Sequence, residues 1–241
     1  GAAVAACHLL KGSDPVSALG LAGTQAAGLW QTRHEPDSMA KQLHAGHAAH
    51  AGVLAAMLSA QGFQGPRTIL EGEQGFFAAM CPGADPEDVL VNPDAGWLIH
   101  ETSLKPYPAC RHAHPAIDAA LGVIKMDGFD AAGEILLETY SDALKFCDNP
   151  NPATTIEAKF SIQHSTALVL SGRSLTLDAF SEETINDPEV VHLRERIKVG
   201  HDADIQSRYP AHYGAAITVG DCHFDVMDAY GDPEFPMELE A

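Results

Sequence analysis

The stretch SLKPYPACRHAHPAIDAA, residues 103–120, lies where the sequence changes character. Before it, segments rich in Ala, Gly and Leu have the spacing of helices, whereas after it short apolar runs alternate with helical segments. We therefore predict an α+β fold, with part of an all-helical domain in residues 1–100 and a smaller α/β domain with antiparallel strands in residues 101–241. The quoted stretch lies at their junction, where ligand pockets are common.

Capping residues mark the starts of two predicted helices in the first domain. Pro15 suits the first position of a helix, and a second, longer helix is expected to run to about Ala60. Side chains able to cap them precede each one: Ser13 or Asp14 the first, and Asp37 or Ser38 the second. A further short helix is predicted within residues 67–80.

Four segments define the predicted second domain. Residues 114–128 begin with a proline in the first turn and continue as an amphipathic helix. GEILLETYS, residues 133–141, has the composition of a strand, and the apolar residues 154–172 are expected to form one helix. In AAITVGDCHFDV, residues 215–226, the central Gly-Asp pair predicts a β-hairpin.

The charge of the chain restricts its partners. With 14 Lys and Arg against 33 Asp and Glu, the formal net charge is −19. Such a field repels nucleic acid and anionic membranes, so neither is expected as a partner. A small carboxylate substrate would also be repelled, and a site for one must therefore concentrate cations locally.

Neither export nor a membrane span is indicated by the sequence, which lacks an apolar run of 18 residues and a secretory signal pattern. The 5 cysteines are far apart and form no CxxC pair, which is typical of free thiols in a reducing compartment. We therefore expect a cytoplasmic protein.

Lys41 is unusual because a cation in the first turn of a helix is disfavoured by the helix dipole. An anionic ligand at this end would be attracted by the free N–H groups and by the ammonium together. His44, three residues later, approaches the same end of the helix, whereas His47 and His50 rotate away and do not form a metal site. A solvated lysine is the simpler interpretation of Lys41.

The quoted stretch itself offers groups that bind anions and transfer protons. Prolines on both sides of Tyr107 stiffen the backbone, so Lys105 and Tyr107 project in fixed directions. Arg111 is suited to clamp a carboxylate, and His112 and His114, near a predicted helix N-terminus, are suited to carry protons. The alternative is a polar surface loop without function.

Two further positions allow more than one interpretation. His164, next to Gln163 in an apolar helix, is either a satisfied core residue or an acid or base that faces the domain junction. Cys110 has cationic neighbours that would lower the pKa of its thiol, but no nucleophile motif accompanies it. Nucleotide-binding glycine patterns are missing as well, so we expect no nucleotide cofactor.

Four segments together resemble the MmgE/PrpD family, in the order and spacing of that family. They are LGLAGTQAAGLWQ (19–31), the segment from DSMAKQLHAG to EGEQGF (37–76), LKPYPACRHAHPAIDA (104–119) and EAKFSIQHSTALVL (157–170). The resemblance implies an all-helical domain with an α/β lid, a homodimer formed through the helical domain, and a di- or tricarboxylate substrate handled without metal or cofactor.

The resemblance also implies roles for individual residues. Lys41, His44 and Lys105 are expected to line the anion-binding site between the domains, and His112 and His114 match a variable segment beside it. His164 stands where several family members carry a tyrosine, so the sequence departs from them at a residue associated with proton transfer. Counterparts of the family's N-terminal helices and C-terminal end are missing, so the chain is expected to be a fragment.

The leading functional hypothesis is a lyase that dehydrates a 2-methylcitrate-like acid. Lys41 and Lys105 would hold the carboxylates, with Tyr107, Arg111 and Gln163 as further substrate-binding residues, while Lys105 or a histidine takes part in proton transfer. The alternatives are an epimerase or decarboxylase of a dicarboxylate such as iminodisuccinate or cis-aconitate, and a non-catalytic dimerisation module.

Overall fold

The chain forms two compact units, Gly1–Gly96 and Trp97–Ala241. The structure is a computed structural model, and it describes residues 1–35, 38–85, 87 and 96–238. Each unit has its own apolar core and is described separately below.

The first unit consists of helices α1 (Ala2–Leu9), α2 (Pro15–Gly23), α3 (Ala40–Ala60) and α4 (Phe76–Met80), with a 3₁₀ turn at Trp30–His34. Its core is small and is built mainly from alanines of α1, α2 and α3. Gly52 lets α1 and α3 approach closely, because a Cβ at this position would lie 2.7 Å from the Cβ of Ala2. Small residues therefore set the helix packing here.

The helix caps of this unit confirm one prediction and refine another. Asp14 is the N-cap of α2 and accepts a hydrogen bond from Val16, and Pro15 occupies the first helical position. At α3 the N-cap position belongs to Met39, and the Ser38 hydroxyl only accepts a long bond of 3.4 Å from Ala40. The other predicted cap, residue 37, lies outside the described residues.

The second unit packs helices around a four-stranded sheet. Its helices are α5 (His114–Val123), α6 (Ser141–Cys147), α7 (Thr155–Lys159), α8 (Ile162–Leu170), α9 (Glu182–Ile185), α10 (Pro188–Arg196) and α11 (Ala203–Arg208). Its strands are β1 (Ile135–Thr139), β2 (Ile197–His201), β3 (Ala215–Val219) and β4 (Cys222–Val226). Short 3₁₀ turns lie at Leu98–Glu101, Arg111–Ala113 and Leu177–Phe180.

The sheet has the strand order β2-β1-β3-β4 and is mixed. β3 pairs antiparallel with β1 and with β4, in agreement with the predicted hairpin, whose turn begins at Gly220 with φ of 56°. β1 and β2 are parallel, with Ile135 opposite Ile197. The parallel pair requires a long crossover, which α6 to α10 provide.

Residues 154–172 form two helices where one was predicted. The first helix ends at its C-cap Phe160, and Ser161 caps the second, since its hydroxyl accepts a hydrogen bond of 2.9 Å from His164 N–H and donates one to the Asn149 carbonyl. Thr154 and Glu157 form a reciprocal capping box at the start of α7. The local caps therefore override the continuous apolar pattern.

The core of the second unit lies between the sheet and helices α5 and α8. Its large, fully buried side chains include Ile117, Leu137, Ile162, Leu168, Phe180 and Ile217. Burial of this apolar surface is the main stabilising contribution to the unit. Among the helices that the structure describes, none is both long enough and apolar enough to cross a bilayer.

Candidate functional site

The segment from Leu104 to His114 brings four predicted site residues into one part of the second unit. Its backbone is held at two points, because Leu104 N–H donates to the Gly231 carbonyl and Cys110 N–H donates to the Lys159 carbonyl, both at 2.7 Å. A 3₁₀ turn then leads directly into α5 at His114. We call Lys105, Tyr107, Arg111 and His114 the cationic cluster.

His114 is the buried member of the cationic cluster. Its side chain is fully buried, and its ring lies 5.2 Å from the ring of Tyr107, centroid to centroid. Neither ring nitrogen has a hydrogen-bond partner among the described residues. The backbone groups of Ala109 and Tyr107 approach the ring and favour its protonated form, against the effect of burial. A buried histidine without a hydrogen-bond partner is costly, and a catalytic role is one explanation for such a group.

The electrostatics around His114 favour the neutral imidazole. Burial, followed by the positive charges of Arg111 and Lys105, lowers the pKa of His114 to about 4. Because Lys105 is exposed, its ammonium is available to a ligand from solvent. The cluster therefore places a neutral base beside two cations.

Tyr107 is oriented by Asp118. The Tyr107 hydroxyl donates a 2.8 Å hydrogen bond to Asp118 Oδ1, and Asp118 Oδ2 accepts one of 2.7 Å from Tyr230 N–H. Burial and then the Asp118 charge raise the pKa of Tyr107, while burial raises that of Asp118. Tyr107 is thus fixed as a neutral phenol, and its role in binding substrate remains a prediction.

Arg111 is already engaged by protein groups. Its guanidinium forms an ion pair with buried Asp232 and lies over the ring of Tyr213, 4.6 Å from the centroid. Arg111 Nη1 is buried and has no hydrogen-bond partner within the described part of the chain. One face of the guanidinium is therefore committed to structure, and one nitrogen remains unsatisfied.

His112 belongs to a neighbouring aromatic cluster. Its Nδ1 lies 2.8 Å from the hydroxyl of buried Tyr140, and its ring stacks on Phe146 with centroids 4.8 Å apart. Burial raises the pKa of Tyr140, so this hydroxyl is neutral. The contact makes His112 a partner of Tyr140, and the histidine is partly exposed.

His164 and Gln163 have other partners. His164 is fully buried, with Nε2 3.2 Å from the Ala179 carbonyl and Nδ1 3.4 Å from Arg194 Nη1. Burial lowers the pKa of His164 to about 4, and the charge of Arg194 acts in the same direction. This environment favours the core interpretation of His164 over the acid–base interpretation. The Gln163 amide is engaged at both ends, with Asn149 N–H and with the Asp148 carboxylate.

Lys41 and His44 belong to the first unit. Lys41 is exposed in the first turn of α3, as predicted, and His44 is half-buried beside Gly28. Their joint role with Lys105 remains a prediction, because the lysines belong to different units.

Three carboxylates near the end of the chain lie close enough to share a cation. One oxygen from each of Asp228, Asp232 and Glu234 lies within 4.8 Å of the others. Asp232 is paired with Arg111, and Asp228 lies 2.8 Å from His212 Nδ1. These partners already balance much of the negative charge, so the group does not resemble a dedicated metal site.

Several residues that shape this region were not predicted from the sequence. They are Asp118, Tyr140, Arg194 and Asp232. Asp232 contacts Arg111 across 121 positions, and no local pattern reports such a pairing. Only Asp118 carried a weak signal, because it lies one helical turn after His114.

The sequence comparisons identify the family of the chain. Residues 107–240 match the MmgE/PrpD C-terminal domain, and residues 1–88 match the MmgE/PrpD N-terminal domain. The chain therefore belongs to the MmgE/PrpD family, as its motifs indicated.

Three relatives illustrate the similarity. Cis-aconitate decarboxylase of Mus musculus is 29% identical over 68% of this chain and 35% of the relative. Cis-aconitate decarboxylase of Aspergillus terreus is 24% identical over 78% of this chain and 42% of the relative. The mitochondrial 2-methylcitrate dehydratase of Yarrowia lipolytica is 27% identical over 74% of this chain and 36% of the relative. The chain spans less than half the length of these curated relatives.

Proposed function

We propose that the protein is a lyase of small polycarboxylates, and that its leading reaction is dehydration of a 2-methylcitrate-like acid. The observation that carries this proposal is the buried, unpartnered imidazole of His114, kept neutral beside the cations Arg111 and Lys105. A neutral imidazole is in the protonation state that accepts a proton from a carbon adjacent to a carboxylate, and the negative charge of a bound carboxylate would raise its pKa toward the working pH.

In this reaction the exposed Lys105 binds a substrate carboxylate. A histidine removes the proton from the adjacent carbon, and negative charge develops on the carboxylate, where the cations stabilise it. The hydroxyl group on the neighbouring carbon then leaves as water with the proton that the histidine accepted, and a C=C bond forms. His114 is fully buried, so side chains that cover its ring have to move when the substrate binds.

His114 is our preferred base among the three histidines. Its ring nitrogens complete no hydrogen bond in the described chain, although backbone groups of Ala109 and Tyr107 approach them. His164, in contrast, contacts Ala179 and Arg194. His112 shares a hydrogen bond with Tyr140, and this pair is a second candidate for moving the proton.

The remaining expectations complete the proposal. Lys41 and His44 supply further carboxylate contacts, and the protein forms a homodimer through its helical domain in the cytoplasm. These roles are supported by membership of the family and by the exposed position of Lys41 at the start of α3.

Decarboxylation of a cis-aconitate-like acid is the second candidate reaction. It is supported by the two decarboxylase relatives of mouse and fungus. Both reactions use the same carboxylate-binding cations and differ in the bond that breaks.

The test is a product assay on the purified protein with 2-methylcitrate, citrate and cis-aconitate. Absorbance of a new C=C bond reports dehydration, ¹³C NMR reports released CO₂, and solvent deuterium in recovered substrate reports epimerisation. We expect turnover of at least one acid, lost in Lys105→Ala and retained in Lys125→Ala, whose exposed lysine lies outside the cluster. Equal activity of both variants would contradict the proposed site.

A further inference from the structure

The C-terminal turn, residues 228–235, contacts the cationic cluster at several points. Gly231 accepts a hydrogen bond from Leu104 N–H, next to Lys105. Tyr230 N–H donates to Asp118, which in turn holds the Tyr107 hydroxyl. Asp232 forms the ion pair with Arg111. Of the cluster, Arg111 thus contacts this turn directly, and Tyr107 and Lys105 are each connected to it through one residue.

The turn is internally ordered and fits tightly. Gly231 N–H donates to the Phe235 carbonyl at 2.9 Å, and Phe235 N–H donates to the Asp232 carbonyl at 3.0 Å. Asp232 itself is only 3% exposed, so its ion pair with Arg111 is shielded from solvent. A rigid turn with a buried charge can fix its partners more accurately than a flexible tail.

Gly231 is required by geometry. Its φ of 97° is in the region that favours glycine, and a Cβ here would overlap the Leu104 carbonyl oxygen and lie 3.3 Å from Pro106 Cδ. Any larger residue would push away the backbone on both sides of Lys105.

We propose that the C-terminal turn is a positioning element of the candidate site: Gly231 sets the place of Lys105, and Asp232 sets the place of Arg111. This inference rests on the proposed function, because the segment that the turn positions is the proposed carboxylate site. Gly231 and Asp232 do not touch the substrate in this account; they act through Lys105 and Arg111.

The first test compares Gly231→Ala with Gly128→Ala. Gly128 also has a positive φ, of 84°, but open space surrounds its missing Cβ, so it controls for backbone strain alone. In Gly231→Ala, displacement of Lys105 removes one of the two charges that act on His114, Arg111 being the other. We expect the pKa of His114, followed by NMR, to rise, and 2-methylcitrate affinity to fall at least tenfold. The control should keep both values.

A folded Gly231→Ala protein with an unchanged His114 pKa would overturn the inference for Gly231. If that variant does not fold, Asp232→Asn tests whether the turn acts on the cluster through Arg111, because it removes the charge of Asp232 and keeps the size of the side chain. Asp232→Asn should change the pKa of His114 when Arg111 is present and have little effect in the Arg111→Gln background. A shift of equal size in both backgrounds would show that Asp232 does not act through Arg111.

The two readouts separate this inference from the proposed function. If 2-methylcitrate fails to bind the unaltered protein, the leading version of the proposed function is wrong, while the NMR titrations still decide whether the turn positions the cluster.

Discussion

Arg111 holds its positive charge close to the buried ring of His114, three residues further along the chain, and this charge disfavours protonation of the ring. The 3₁₀ turn at Arg111–Ala113 creates the arrangement, because it places both side chains at the start of α5. The ion pair with Asp232 keeps the guanidinium from turning away. The neutral state of His114 is therefore a property of the fold.

Replacing Arg111 by Gln should raise the pKa of His114 from about 4 toward the ordinary value of 6.5. The reason is the loss of a nearby positive charge, which opposes the protonated ring. An NMR titration of the histidine ring signals measures the change, and His114→Asn identifies the His114 signal. Lys125→Gln removes an exposed cation outside the cluster and should leave this pKa unchanged. A His114 pKa that stays at its original value in Arg111→Gln would contradict the described electrostatics.

Stability should fall as the pH decreases from about 6.5 to about 4. The pKa values of His114 and His164 are both near 4 in the folded protein and 6.5 as the ordinary value, so the unfolded chain binds more protons in this window. Each histidine contributes up to about 3 kcal/mol of this loss, at about 1.4 kcal/mol per pKa unit. Chemical unfolding at several pH values measures the effect.

The matched variants are His164→Gln and His47→Gln. Replacing His164 removes its contribution to the pH-dependent loss of stability, so the stability of His164→Gln should depend less on pH than that of the unaltered protein. His47 is exposed on α3, and its variant should retain the full dependence. The same pH dependence in all three proteins would mean that His164 titrates normally.

Local chemistry made part of the fold predictable. Asp14 and Pro15 start a helix for two reasons. The Asp14 carboxylate accepts a hydrogen bond from a backbone N–H that would otherwise be free, and proline has no backbone N–H that needs a partner. Gly220 begins the β3–β4 hairpin because its positive φ suits the turn. In each case the residues that specify the structure are neighbours in sequence.

Contacts between distant segments were not predictable in this way. The parallel pairing of β1 with β2 depends on how α6 to α10 pack, and a single strand pattern does not choose its partner. The Arg111–Asp232 pair likewise forms only after the chain has folded. The cluster residues were predicted because they are close together in sequence. The turn that contacts them was not predicted, because it lies far away along the chain.

The buried face of β1 should dominate the stability of the second unit. Leu137 is fully buried in the core, whereas its neighbour Leu136 points to the other face of the strand and is 39% exposed. Leu137→Ala should lower the free energy of unfolding by roughly 2–5 kcal/mol, because it removes apolar contacts and leaves a cavity. Urea unfolding of Leu136→Ala is the control and should show a much smaller change. A similar loss of unfolding free energy in both variants would contradict the assignment of Leu137, and not Leu136, to the core-facing side of β1.

The binding of 2-methylcitrate to Lys105→Ala, measured by calorimetry at constant ionic strength, tests the central claim most directly. A charge-assisted contact contributes about 1.5–3 kcal/mol, so we expect a roughly 10- to 100-fold loss of affinity. Lys125→Ala should bind as the unaltered protein does. If Lys105→Ala retains full affinity, Lys105 does not hold a substrate carboxylate, and the cationic cluster is not the carboxylate site.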